Sequence, residues 1–178
     1  MASTFEFIEK QTLGSDAAAI DFTSVTQAYE HLQVRIHGKS TYGGLSDAAR
    51  ISFNRSGTLG TWDQQYMYGM YSTDGVGELF SAYGQVWLTR LAGNSGTSVY
   101  QRGVIVITIS DYANTSKRAS IQWYGGNVSG DNNNQGKQIS MGGAAWSETT
   151  AISEIRIRSG SASLKAGTSV AIYGMKSS

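Results

Sequence analysis

From His31 to Lys39 apolar and polar side chains alternate, with Leu32, Val34 and Ile36 on one side and His31, Gln33, Arg35 and His37 on the other. A period of two over this length predicts a β-strand with one buried and one wet face. Ile155 and Ile157 between Glu154, Arg156 and Arg158 repeat the pattern, as do Val170 and Ile172 near the end. Period-two segments separated by turn residues constrain the architecture far more tightly than the chemistry.

Further strands are predicted over residues 5–13, 18–22, 49–54, 84–91, 99–112, 119–124, 139–146, 152–158 and 168–173, the first two as a possible hairpin. Residues 24–30 resemble a single helical turn. Residues 56–84 differ: Trp62, Tyr66, Tyr68, Met70 and Tyr71 sit among Gly, Gln, Asp and Ser with no clear inward side. Residues 104–109, Val-Ile-Val-Ile-Thr-Ile, are apolar on both faces, which predicts a strand covered on both sides or set at an interface. Residues 125–136 read as a polar loop. Many short strands and no sustained helical period predict an all-β antiparallel β-sandwich, jelly-roll-like, forming a single domain over 1–178 with a short N-terminal arm. Leu32, Val34, Ile36, Ile51, Phe53, Ile121, Trp123, Ile155, Ile157, Val170 and Ile172 are its expected core.

The 178 residues suit one core. Fourteen basic and thirteen acidic residues are dispersed and leave a net charge of +1, so no basic face points to a nucleic-acid partner. Cysteine is absent, which removes disulfides and thiolate metal sites; proline is absent too, leaving the turns to the 22 glycines and to Asn, Asp and Ser. No secretory signal and no apolar run of the roughly 20 residues needed to cross a bilayer is visible, so no membrane partner is expected. The Asn-x-Ser/Thr triplets at Asn54, Asn114 and Asn127 read as chance without a secretion signal.

Chemical motifs are sparse. The Gly130-Asp131-Asn132-Asn133-Asn134 run has one carboxylate and lacks the acidic alternation of a calcium loop. His31 and His37 share a strand face but lie about 20 Å apart at roughly 3.3 Å per residue, too far to share a metal. No Gly-x-Ser-x-Gly elbow or other nucleophile signature occurs. Asp47, Asp63, Asp74, Glu78 and Asp111 could supply the paired acids of a glycan hydrolase, but nothing in the sequence pairs them. The expectation is no enzyme, no catalytic residue, no cofactor and no metal.

Several stretches resemble small β-sandwich virion proteins of tailed bacteriophages. They are Gln11-Thr-Leu-Gly-Ser-Asp-Ala-Ala18, Ile20-Asp-Phe-Thr-Ser24, Tyr29-Glu-His-Leu32, Ile51-Ser-Phe-Asn54, Thr150-Ala-Ile-Ser-Glu-Ile155 and Ala171-Ile-Tyr-Gly174. Thr26 stands where many of those proteins have Pro, so a looser turn is expected there. The resemblance implies a virion structural protein, made in the host cytoplasm and carried on the virion surface. Its preferred role is a capsid decoration (cement) protein that binds the major capsid protein and clamps the shell against internal pressure. The alternative is a tail-fibre or receptor-binding module recognising a host surface glycan. Decoration proteins commonly occupy threefold positions, so a homotrimer is implied. Trp62, Tyr66, Tyr68, Met70, Tyr71, Val104 and Val106 are the interface candidates, since Tyr, Trp and Met are enriched in interface cores.

Overall fold

A computed structural model describes residues 5–54, 62–70, 73–81, 84–94, 101–127 and 137–176. These residues form twelve strands: β1 (Phe5–Thr12), β2 (Ala19–Phe22), β3 (His31–Gly38), β4 (Ser46–Phe53), β5 (Trp62–Met70), β6 (Thr73–Ser81), β7 (Val86–Ala92), β8 (Gly103–Ser110), β9 (Ser120–Asn127), β10 (Gln138–Trp146), β11 (Ile155–Ser159) and β12 (Ser169–Met175). The large sheet has the order β1-β12-β3-β8-β9-β10-β5-β6, and the small one β2-β11-β4-β7. Every strand pair is antiparallel, and the two sheets face each other as a sandwich, as the alternation predicted.

Every residue of the expected core is buried in one cluster between the sheets. The edge-to-face packing of Phe53 against Trp62 and Trp146 links the small sheet to the large one, with ring centroids 5.3 and 5.7 Å apart. Trp62 and Trp146 are themselves directly opposed on β5 and β10.

Some expectations fail for identifiable reasons. Strands β1 and β2 are not a hairpin, since β1 pairs with β12 and β2 with β11. Their connection is pinned to the loop before β12: Leu13 N–H donates to Thr168 O at 2.9 Å, and Ala17 N–H to Leu164 O at 3.0 Å. Residues 24–30 are not helical, because their hydrogen bonds reach distant partners. Val25 N–H donates to Ser153 O, Gln27 Nε2 to Ile152 O, and Tyr112 Oη to Thr26 O. The first expected strand is the edge strand of the large sheet, and the short N-terminal arm expected before it falls on residues 1–4, outside the described residues. Strand β9 continues to Asn127, into the expected loop. The remaining residues 128–136, with the calcium-like run, lie outside the description.

Asn54 closes β4 with a φ of 42°, a left-handed conformation that Asn tolerates better than most residues. Its side chain holds the approach to β11. Nδ2 donates to Ala151 O at 2.8 Å, while Oδ1 accepts from the N–H groups of Ser153 and Glu154 at 2.9 and 3.1 Å.

Two stability predictions follow from this packing. Ile36→Ala or Ile157→Ala should each cost about 2–5 kcal/mol in urea unfolding, as deletions at fully buried positions do. Asn54→Ala should cost about 1–3 kcal/mol, because it leaves three backbone groups without their partner.

Candidate functional site

Two surfaces stand out, on opposite sides of the same strands. On the outer face of the large sheet, register places Arg35, Val106, Tyr124, Met141 and Met67 in one row across β3, β8, β9, β10 and β5. Val104 and Ile139 lie in the next row, opposite Gly126 from either side. Met67, Val104, Tyr124, Ile139 and Met141 are each more than half exposed, making an apolar patch with no titratable side chain but the tyrosine. Gly143 sits between Gln122 and Gln65, and these three with Met67, Tyr124 and Met141 of the patch line an open hollow of about 640 Å³.

The patch originates in an inversion on β10. Its inward positions include Gln138 and Ser140, both buried, while Ile139 and Met141 point to solvent. Ordinary patterning would place the aliphatic pair inside. That inversion was the legible signal for Ile139 and Met141, which the sequence analysis did not select.

The selected candidates divide. Trp62 is a core residue at 1% exposure and cannot serve as a free contact. Tyr66 and Tyr68 are half-buried and share the inward face of β5 with Trp62 and Gln64, so this stretch does have an inner side. It escaped notice because that side is aromatic and polar. Met70 ends β5, its side chain outside the described residues, and Tyr71 lies outside them altogether. Val104 and Val106 point outward, the first exposed and the second half-buried. Among the described residues, strand β8 is therefore fully covered on one face, that of Ile105, Ile107 and Ile109.

The second surface is a cleft of about 180 Å³ on the inner side, where β5 and β10 meet the edge strand β7. Tyr66, Tyr68, Trp87, Arg90 and Gln138 line it. Gln64 fixes the two walls together: Nε2 donates to Trp87 O, and Trp87 N–H donates to Oε1 at 3.0 Å. Arg50 lies over the Trp87 ring, 4.3 Å from its centroid. The Tyr66 and Tyr68 rings are 6.1 Å apart. Around this cleft the interior is polar and unsatisfied. Gln138 Oε1, Ser140 Oγ, Thr89 Oγ1 and both side-chain polar atoms of Asn127 are buried and find no hydrogen-bond partner among the described residues. Each such group costs about 1–3 kcal/mol when left unpaired.

Elsewhere, one buried polar cluster is internally satisfied. Asp47 is buried and accepts from Ser40 Oγ at 3.0 Å, from Ser159 Oγ and from Ser161 N–H at 3.1 Å, tying the start of β4 to the end of β11. Asp63 is on the outer face of β5, separated from Asp47 by the large sheet, and the side chains of Asp74 and Glu78 lie outside the described residues.

Glu30, His31 and Asp111 bring one ligand atom each within 4.8 Å of one another. Asp111 N–H donates to His31 Nδ1 at 3.1 Å, so the proton of the neutral ring sits on Nε2, facing Glu30 at 3.8 Å. A cation on Nε2 would have to displace that proton, so the residues fit a hydrogen-bonded strand end better than a metal centre. His37 lies at the far end of β3, held below the ordinary histidine value by lost hydration and by nearby Arg102 and Lys10.

No protein-family model and no curated protein sequence matches the chain. Among solved structures, it is similar to part of an exo-inulinase from Aspergillus awamori, with a TM-score of 0.45, 12% identity, and coverage of 96% of this chain and 29% of that one. It is also similar to a leech intramolecular trans-sialidase, with a TM-score of 0.35, 10% identity, and coverage of 97% and 26%. A third likeness is to a Ruminococcus gnavus IT-sialidase CBM40 bound to α2,6-sialyllactose, with a TM-score of 0.35, 11% identity, and coverage of 97% and 95%. This chain thus spans less than a third of the first two. At such scores no property of those proteins transfers to it.

The two adjacent glycines of β10 should respond oppositely to a methyl group. On Gly142 it would overlap the Trp123 ring, whereas on Gly143 it would meet only Ile121 O, at 3.4 Å. Thermal unfolding should show Gly142→Ala clearly destabilised and Gly143→Ala within about 0.5 kcal/mol of the parent.

Proposed function

We propose that this chain is a non-enzymatic structural protein of a phage virion, a capsid decoration protein whose working surface is the open face of the large sheet. The observation that carries the reading is the inverted strand β10, which turns Ile139 and Met141 out beside Val104, Tyr124 and Met67. A broad apolar patch without carboxylates suits contact with another protein surface better than chemistry on a small molecule. Fully burying one such aliphatic side chain contributes about 1.5–3 kcal/mol, so closing five half-exposed ones supplies on the order of 5 kcal/mol per site. Repeated over many copies, such contacts stiffen a shell.

The partners in this reading are the major capsid protein and further copies of this chain. A homotrimer would then not close through the inward tyrosines of β5. The alternative, a tail-fibre or receptor-binding module recognising a host surface glycan, draws support from the cleft beneath Tyr66 and Tyr68.

The test combines location with a variant. Imaging of intact virions should find the protein on the head, and light scattering should give a trimer mass for the free protein. Met141→Glu, at an exposed position, should fold normally yet lose attachment to undecorated heads. A protein found only at the tail tip would overturn the decoration reading, and a monodisperse monomer the trimer.

A further inference from the structure

The cleft between β5 and β7 combines features that capsid attachment does not use. Tyr66, Tyr68, Trp87, Arg90 and Gln138 line it, and the Tyr66 and Tyr68 rings stand 6.1 Å apart. Gln138 is more than nine-tenths buried, and its Oε1 has no partner. Its neighbour across the ladder, Asn127, is buried with both polar side-chain atoms unpaired, and Ser140 at the next inward position of β10 is unpaired as well. Satisfied interiors are the rule, so adjacent unmet amides and hydroxyls behind an aromatic opening mark a place that a polar occupant completes.

We infer that this cleft is a binding site for the acidic sugar unit of a glycan. A pyranose ring has an apolar C–H face and a rim of hydroxyls, and the cleft offers a surface for each. Aromatic rings receive the C–H face, and the side-chain amide of Gln138 meets the hydroxyls. Arg90 supplies the charge preference. Among the described residues its side chain donates one long hydrogen bond, 3.4 Å to Ser46 Oγ, and it takes part in no ion pair. A guanidinium placed so recognises a carboxylate by paired N–H donation. At about 180 Å³ the space is well below the roughly 300–1,000 Å³ of drug-sized sites and suits a single ring. Because the cleft opens on the inner side of β5 and β10, occupancy does not compete with contacts made by the outer patch. The inference therefore stands or falls apart from the decoration reading.

The experiment is a heteronuclear NMR titration of the full chain with glucuronate, N-acetylneuraminate and glucose. At least one acidic sugar should give saturable shifts at Tyr66, Tyr68 and Gln138 with a dissociation constant in the millimolar range, and glucose should bind at least tenfold more weakly. Arg90→Gln should erase that difference. Gln138→Leu should abolish binding while raising the unfolding temperature, because it removes an unpaired buried group; this separates lost recognition from lost folding. Absence of a saturable response in the cleft would overturn the inference, as would equal affinity for glucose or undiminished binding by Gln138→Leu. Attachment to heads, measured separately with Met141→Glu, reports on the decoration reading alone.

Discussion

Eight strands cannot be covered by four, and most of the distinctive features of this molecule descend from that mismatch. At about 4.8 Å per strand the large sheet is roughly twice as wide as the small one. Where the small sheet lies over it, the inward side chains are Leu32, Val34, Ile36, Ile105 and Ile107, and none is more than 1% exposed. The cover thins along β5. Its first residue, Trp62, is sealed by Phe53 of β4, whereas Tyr66 and Tyr68 on the same face emerge half-buried beside the edge strand β7. The inner side of β5 and β10 is therefore neither core nor surface. Its Tyr, Gln and Ser residues are what such a boundary selects.

The same geometry decides what could be read in advance. Strands under full cover carry aliphatic residues at every second position, and that is why β3, β4, β11 and β12 and their core side chains were legible in sequence. On β5 the inward set is Trp, Gln, Tyr and Tyr, so a test for aliphatic alternation finds no face. On β10 the sense is reversed: polar Gln138 and Ser140 point in, and Ile139 and Met141 point out. Alternation was present in both strands, but its sign depends on what lies across each face, which a local pattern does not contain. The hairpin expected from β1 and β2 failed similarly. Sequence proximity suggested pairing, while backbone groups near Leu13 and Ala17 find partners near residues 164–168 and carry the chain between sheets.

Long-range pairing also gives physical content to motifs that cluster at the two ends of the chain. Strand β1 pairs with β12, and β2 with β11. The Tyr29 ring lies against Gly174, where even one methyl group would overlap it. Asn54 at the end of Ile51-Ser-Phe-Asn54 holds the backbone of Ala151, Ser153 and Glu154, within the Thr150-to-Ile155 motif. Short patterns distant in sequence thus constrain one another by contact, and a change in one removes the partner of the other.

Two polar interiors in the molecule show why one is read as structure and the other as a site. The Asp47 carboxyl is buried, yet two hydroxyls and a backbone N–H converge on it, so its burial is compensated where it stands. Gln138 Oε1, Ser140 Oγ and both polar side-chain atoms of Asn127 are also buried, but among the described residues none has a hydrogen-bond partner. Folding alone would favour apolar replacements there, since two such neighbours in a well-packed interior lose hydration and gain nothing. Strand β10 thus departs from the stable pattern twice, presenting apolar groups to solvent and polar groups to the interior. Because successive side chains leave opposite sides of the strand, these departures touch different surroundings and can be altered one at a time. The two proposed contacts, one on each face, would each relieve one of these costs.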